Sequence, residues 1–288
     1  MSNLVLYSIP AFVVLVLLEL AYTRRHPELV GYQAKDTFAS LSLGLLNVIF
    51  NAGTKFLTIP IFAWIYEHRI ADVVEATGGW SWLILFFAED CCYYWFHRLH
   101  HEIRFLWAAH VNHHSSRHYN LSTALRQPLL TPITGPMFWF VLPWVGFPPW
   151  MVLTAQAWSL LYQFWLHTEA IDRLGPFEWF MNTPSHHRVH HGKNVEYLDR
   201  NHGGVLILWD RLFGTFEVEG AHLIYGLTKD IETYNPLRIG FHEVAAIGRD
   251  VRRGPTLGAK LGYLFAPPGW SHDGSTKTAT QLRHELRS

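Results

Sequence analysis

The first 170 residues are dominated by apolar runs about as long as a bilayer is thick, and these leave few folds open to the chain. A helical span needs roughly 20 mostly apolar residues. Leu4 to Tyr22 is one such run, followed by Arg24-Arg25. Its amino end carries no positive charge and no small-residue cleavage site follows, so it reads as an uncleaved helix and not a signal peptide. Phe38 to Tyr66 is the second run, interrupted by Lys55 and Pro60, and Trp80 to Phe96 is the third. Leu129 to Phe147 and Pro149 to Leu166 are the fourth and fifth, joined by a turn at Gly146-Phe147-Pro148-Pro149 that leaves room only for a tight hairpin. Trp64, Tyr66, Trp80, Trp82, Tyr93, Tyr94 and Trp95 stand near run ends, as interface belts do. The expected fold is therefore all-α, a multi-pass helical membrane protein. A soluble all-α protein with buried helices is the alternative.

Basic residues set the expected orientation. Arg24, Arg25 and Lys35 put the first loop in the cytoplasm, and Arg98, Arg104, Arg117 and Arg126 put the stretch after the third run there too. The loop from Glu67 to Gly79 has one Arg against Glu67, Asp72 and Glu75, as an outside loop does. By that parity every histidine cluster meets the cytoplasmic interface, although histidines took no part in the count. Three segments follow: 1–79 with N-terminal transmembrane helices, 80–220 with the histidines and a membrane hairpin, and a polar cytosolic segment 221–288 whose end is expected to fray. With 23 basic and 23 acidic residues the chain has no charge excess to suit nucleic acid. Cys91 and Cys92 are adjacent, so they neither staple a loop nor have metal-site spacing.

The chemistry lies in 19 histidines. His97 and His101 are four apart, on one face of a helix. His110, His113 and His114 follow, then His186, His187, His190 and His191, and His167 closes the fifth run. Spacings of three and four stack imidazoles on one side, and Thr183-Pro184 suits an N-cap and first helical position. Imidazole suits Zn, Cu, Fe and Ni. His97, His101, His110, His113, His114, His187, His190 and His191 supply eight ligands and His167 a ninth, too many for one ion and about right for two. Neutral imidazoles in that number fit two redox-active irons that meet O2. His100 and His186 sit off the spacing, open between ligand and neighbour. His26, His68, His118, His202, His222, His242 and His272 are isolated and read as solvated or packing residues. Ligand histidines are normally held by a carboxylate at the other ring nitrogen. Asp90, two turns before His97 and costly inside a span, is the first candidate; Glu102 and Glu169 are candidates also readable as interface charges. A membrane zinc or copper carrier is the non-enzyme alternative, but a carrier needs ligands strung along its path.

The order HRLHH, HVNHHSS, HHRVHHG resembles the fatty acid hydroxylase and sterol desaturase superfamily of membrane di-iron enzymes. YYWFHRLHHE (93–102), HHSSRHYNLSTALRQ (113–127), LYQFWLHTE (161–169), NTPSHHRVHHGKN (182–194) and WDRLFGTFE (209–217) are closest to its alkylglycerol monooxygenase branch. The resemblance covers about residues 80 to 230. It implies a cytosolic helical cap carrying a di-iron site, the nine histidines above as iron ligands, and importance for Glu102. It also implies O2 as oxidant, alkylglycerol ether lipids as substrate and tetrahydrobiopterin as reductant. Sterol, sphingolipid or fatty acid hydroxylation, or desaturation, is the alternative within the superfamily. Arg117 and His202 depart from the branch pattern. Asn120 and Arg126 are candidate contacts for a head group or reductant, with structural capping the other reading. No GxGxxG after a strand, P-loop or CxxCH is present, so electrons are expected from a separate donor.

Overall fold

The computed structural model describes residues 3–220 and 222–288; Met1, Ser2 and Ala221, which bound the expected first and third segments, lie outside the described residues. Helices account for all regular structure among them, and the only β pairing is two isolated bridges. The first two helices are α1 (Asn3–Thr23) and α2 (Ala34–Glu67). At 1.5 Å per residue α2 is about 50 Å long. Its buried residues Asp36, Ser40, Leu43 and Asn47 recur with helical period, while Phe38, Leu45, Val48 and Phe56 are exposed. Apolar side chains exposed in such a row mark a surface that meets lipid or another protein. By length and apolarity α2 is the one described helix that qualifies as a membrane span; Tyr7–Thr23 of α1 is a shorter apolar helix.

Two helices at a sharp corner carry the first histidines. α3 (Ser81–Glu102) ends at Ile103, whose extended backbone (φ −116°, ψ 120°) turns the chain into α4 (Arg104–His114). The fourth apolar run, expected as a span from Leu129 to Phe147, is instead broken into short turns at Thr131–Thr134, Pro136–Trp139 and Val141–Trp144. Pro132, Pro136 and Pro143 remove donors that a continuous helix needs. The hairpin turn is real, however. Gly146 has φ 105°, and a Cβ there would lie 2.5 Å from the Ala71 carbonyl oxygen, so only glycine fits. α5 (Pro149–Phe164) then runs 16 residues, about 24 Å. Phe62, Leu85, Phe96, Trp139, Leu142, Phe147, Met151 and Val152 form the core that joins these pieces.

α6 (Pro184–His191) starts with Pro184 at its first position, as its sequence predicts. The Thr183 hydroxyl does not cap the helix but donates to Glu178 Oε1 at 2.9 Å. α7 (Leu208–Phe213) stops at Gly214 in the left-handed region. The polar tail is largely helical among the described residues. It forms α8 (Pro236–Arg253), α9 (Leu257–Phe265) and α10 (Ala279–Arg287), each with an Asn or Thr N-cap. Arg104 of α4 fastens α8 through Glu243 (2.8 Å) and Asp250 (2.7 Å).

Candidate metal centre

Helical spacing brings the imidazoles of α3, α4 and α6 together, and the loop after α5 adds one more. His97, His101, His110, His114 and His190 form one group whose ligand atoms all lie within 4.8 Å of one another; His113, His167, His187 and His191 form a second. All nine are buried. The groups adjoin: the His114 and His191 rings stack at 4.3 Å, and those of His110 and His113 are 5.4 Å apart. Helical spacing points to eight of these nine, and His167 stands alone at the end of the fifth apolar run.

The contacts within each group suit an ion better than hydrogen bonding. His110 Nε2 lies 3.1 Å from His97 Nε2 and 3.2 Å from His114 Nε2. His167 Nε2 lies 3.2 Å from His113 Nε2 and 3.0 Å from His187 Nε2. A neutral imidazole has a single N–H, so three converging nitrogens cannot all be satisfied by one another. His101 Nε2, His190 Nε2 and His191 Nε2 are buried with no partner. Metal–imidazole bonds of about 2.0–2.1 Å at tetrahedral or octahedral angles separate neighbouring nitrogens by about 2.9–3.4 Å, which matches the observed spacing.

Several opposite ring nitrogens are held by the protein. His97 Nδ1 meets the His202 carbonyl at 2.9 Å, His113 Nδ1 that of Arg126 at 3.2 Å, His167 Nδ1 that of Gln163 at 3.0 Å, and His190 Nδ1 that of Arg200 at 2.9 Å. This fixes each tautomer with Nε2 free to ligate. Burial pushes His113 down to about 4 and His190 to about 3, and it holds His110, His114, His187 and His191 well below the ordinary histidine range. All are therefore neutral at pH 7, the form that binds metal. Asp199 Oδ1 lies 3.6 Å from His101 Nδ1, and burial raises its carboxyl to about 6.

Other candidates serve the scaffold. Asp90 reaches no imidazole: it accepts from Val205 N (2.8 Å), Leu206 N (3.0 Å) and Trp209 Nε1 (2.9 Å), so it holds the loop whose His202 carbonyl steadies His97. Glu102 pairs with Arg98 at 2.8 Å, and Glu169 accepts from Val30 N at 2.8 Å. Asn120 caps the short turn Leu121–Ala124 and donates to the Gly31 carbonyl at 2.7 Å. Arg126 is 1 % exposed and donates to the Asn112 carbonyl, Ser115, Ser40 and Asp36. Neither lines either of the two clefts, and the contacts of both are those that the structural alternative expects. His100 bonds the Phe96 carbonyl (2.7 Å) and Thr134 (2.8 Å), which leaves neither nitrogen for a metal. His186 packs on Phe216, outside both groups. His202 is fully buried, as the packing half of its sequence reading expects, with its ring 5.1 Å from that of His101. Glu19 is a residue the sequence reading passed over: inside the first apolar run, where an acid is as costly as Asp90 is in the third, it accepts from Leu121 N at 2.7 Å and from Tyr32 and Thr168.

Of two clefts, one is lined by imidazoles of the centre and the other lies beside it. One, of about 1490 Å³, lies between α4 and α8–α10 and has His101, His114, His190 and His191 in its wall. The other, of about 250 Å³, lies among α2, α3 and α5, with Tyr93, Phe96 and Gln163 as its inner wall. Tyr93 packs on His97 at 5.4 Å and Phe96 on His100 at 4.3 Å.

The Fatty acid hydroxylase family model matches residues 82–215. Alkylglycerol monooxygenase from Homo sapiens is 40% identical over 261 residues, covering 91% of this chain and 58% of the relative. The protein of that name from Danio rerio is 37% identical over 262 residues, with the same coverages. Ornithine lipid hydroxylase OlsE from Rhizobium tropici is 32% identical over 124 residues, 43% of this chain and 38% of the relative. The chain thus spans a little over half the length of these animal relatives. No solved structure matches it.

Proposed function

We propose, from the match of residues 82–215 to the Fatty acid hydroxylase family model, that the protein is a multi-pass membrane monooxygenase. It uses two iron ions and O2 to hydroxylate a lipid alkyl chain, with alkylglycerol ethers as the first substrates to try. The observation that carries the reading is the pair of adjoining imidazole groups, five and four, with converging unsatisfied nitrogens. His97, His101, His110, His114 and His190 hold one ion; His113, His167, His187 and His191 hold the other. Bound iron supplies the activation of O2: one oxygen atom enters a C–H bond, and the other leaves as water with two electrons and two protons from an external donor. Hydroxylation next to an ether oxygen gives a hemiacetal, which splits into aldehyde and glycerol derivative.

The chain's own part is binding, orientation and exclusion of water. The carbonyls of His202, Arg126, Gln163 and Arg200 keep the rings aimed, and Asp90 keeps the 203–209 loop in place. The smaller cleft opens among helices with exposed apolar faces, which suits lateral entry of a lipid tail. The larger one is lined by charged residues such as Lys193, Arg238 and Arg249, which suits a water-soluble donor of the tetrahydrobiopterin type. On this reading the centre faces the cytoplasm, with α8–α10 as a cap. Purified protein incubated with O2, a reductant and a panel of alkylglycerols, sterols and fatty acids tests the proposal. O2-dependent aldehyde release from an alkylglycerol is expected; no O2 uptake with any lipid and any donor removes it.

A further inference from the structure

The loop after Asp199 is clamped from both sides. Asn201, in the left-handed region (φ 55°), donates to the carbonyls of His186 (3.1 Å) and Glu217 (2.8 Å). Both Asp210 carboxylate oxygens accept at 2.7 Å, from His202 N and Gly203 N. A Cβ on Gly203 would lie 2.5 Å from the Leu206 carbonyl oxygen, and one on Gly204 would lie 2.7 Å from the Tyr93 ring. A loop this confined leaves the His202 side chain one direction.

That direction is the five-histidine group. The His202 ring centroid is 5.1 Å from His101, 5.6 Å from His190 and 5.7 Å from His97, against 5.2 Å between His97 and His101 within the group. The residue is 0 % exposed, and neither Nδ1 nor Nε2 has a hydrogen-bond partner. The main chain of Asp199 lies close without completing a bond. Among the described buried histidines it alone has both nitrogens so placed. An imidazole carries one N–H and one acceptor, and leaving such groups dry is costly. An apolar ring would fill the space without that cost. With only the Asp199 main chain near and no well-formed bond to it, a partner other than the protein would satisfy the ring.

The His202 nitrogens fall outside the set that converges within 4.8 Å. We infer that His202 is an outer imidazole of the five-histidine site, hydrogen-bonded to a water or other small oxygen or nitrogen ligand of the ion held there. It is a positioning residue that sets how firmly that site keeps its ion, and the assignment rests on the metal-centre reading above.

The test uses the full chain in detergent, stripped and reloaded with Co(II), which reports its ligand field in the visible spectrum. Chelator competition on His202→Phe should show one of the two ions held 10- to 100-fold more weakly and the other unchanged, as loss of an outer partner does. Azide should perturb the cobalt bands of the wild type and not those of the variant. His202→Asn, which restores a donor and an acceptor, should recover most of the affinity. The metal-free His202→Phe protein should melt no lower than wild type, because it loses two unsatisfied polar atoms. Unchanged affinity and spectrum, or a metal-free variant melting well below wild type, would make the ring a packing element and overturn the inference. A wild-type chain that binds no cobalt would instead overturn the metal-centre reading itself.

Discussion

Replacing Asp90 by Ala should loosen the metal centre from a distance, because this carboxylate touches no imidazole yet holds the loop that steadies His97. It accepts three hydrogen bonds, from Val205 N, Leu206 N and Trp209 Nε1, and is 0 % exposed. A hydrogen bond to a charged group contributes about 1.5–3 kcal/mol, and a buried donor left unsatisfied costs about 1–3 kcal/mol. The three share one acceptor and do not add fully, so a total near 4 kcal/mol is reasonable, within the range of about 3–5 kcal/mol for a broken buried charged contact. For a chain of this size that lowers the melting temperature by roughly 10 °C. The loosened loop also withdraws the His202 carbonyl from His97 Nδ1, so iron should be lost from the five-histidine site before the other. Differential scanning fluorimetry in detergent and elemental analysis read both effects. An Asp90→Ala protein with full iron and an unchanged melting temperature would refute the reasoning.

Arg126→Ala should act on stability and not on binding: it strands the buried Asp36 carboxylate, costing about 3–5 kcal/mol, while KM for lipid and donor stays within twofold; a selective rise in KM would restore the binding reading. Acid should destabilise the metal-free protein. Unfolded imidazoles take up protons below about pH 6.5, whereas folded His113 does so only near 4 and His190 near 3. The unfolded state thus binds more protons throughout that window, and stability falls as pH drops from about 6.5 towards 4. Melting temperatures of chelator-stripped protein across this range check the sign, and a flat profile would contradict it.

The grouping of the imidazoles was legible because a helix converts spacings of three and four directly into a shared face. His97 and His101, or His110, His113 and His114, need no tertiary information to point the same way. The Gly146 hairpin was legible for a similar local reason. Hydropathy alone misjudged Leu129 to Phe147, where apolarity is high but prolines prevent one continuous helix. It also undervalued the tail, where α8 needs only Ile239, Gly240 and Ile247 buried to pack. The roles of Asp90 and His202 depend on a loop that meets α3 more than 100 residues away in sequence, as in the 105-residue separation of His97 and the His202 carbonyl. No local period encodes such a contact. Asp90 was noticed for its cost inside an apolar run, which flags importance without naming the partner.

The central claim is that nine imidazoles cage two adjoining ions, and elemental analysis of the purified chain tests it most directly. The account predicts about two irons per chain, falling to about one in either His190→Ala or His167→Ala, one exchange in each group. Fewer than one tightly held ion in the wild type, or both exchanges leaving the full complement, would contradict it.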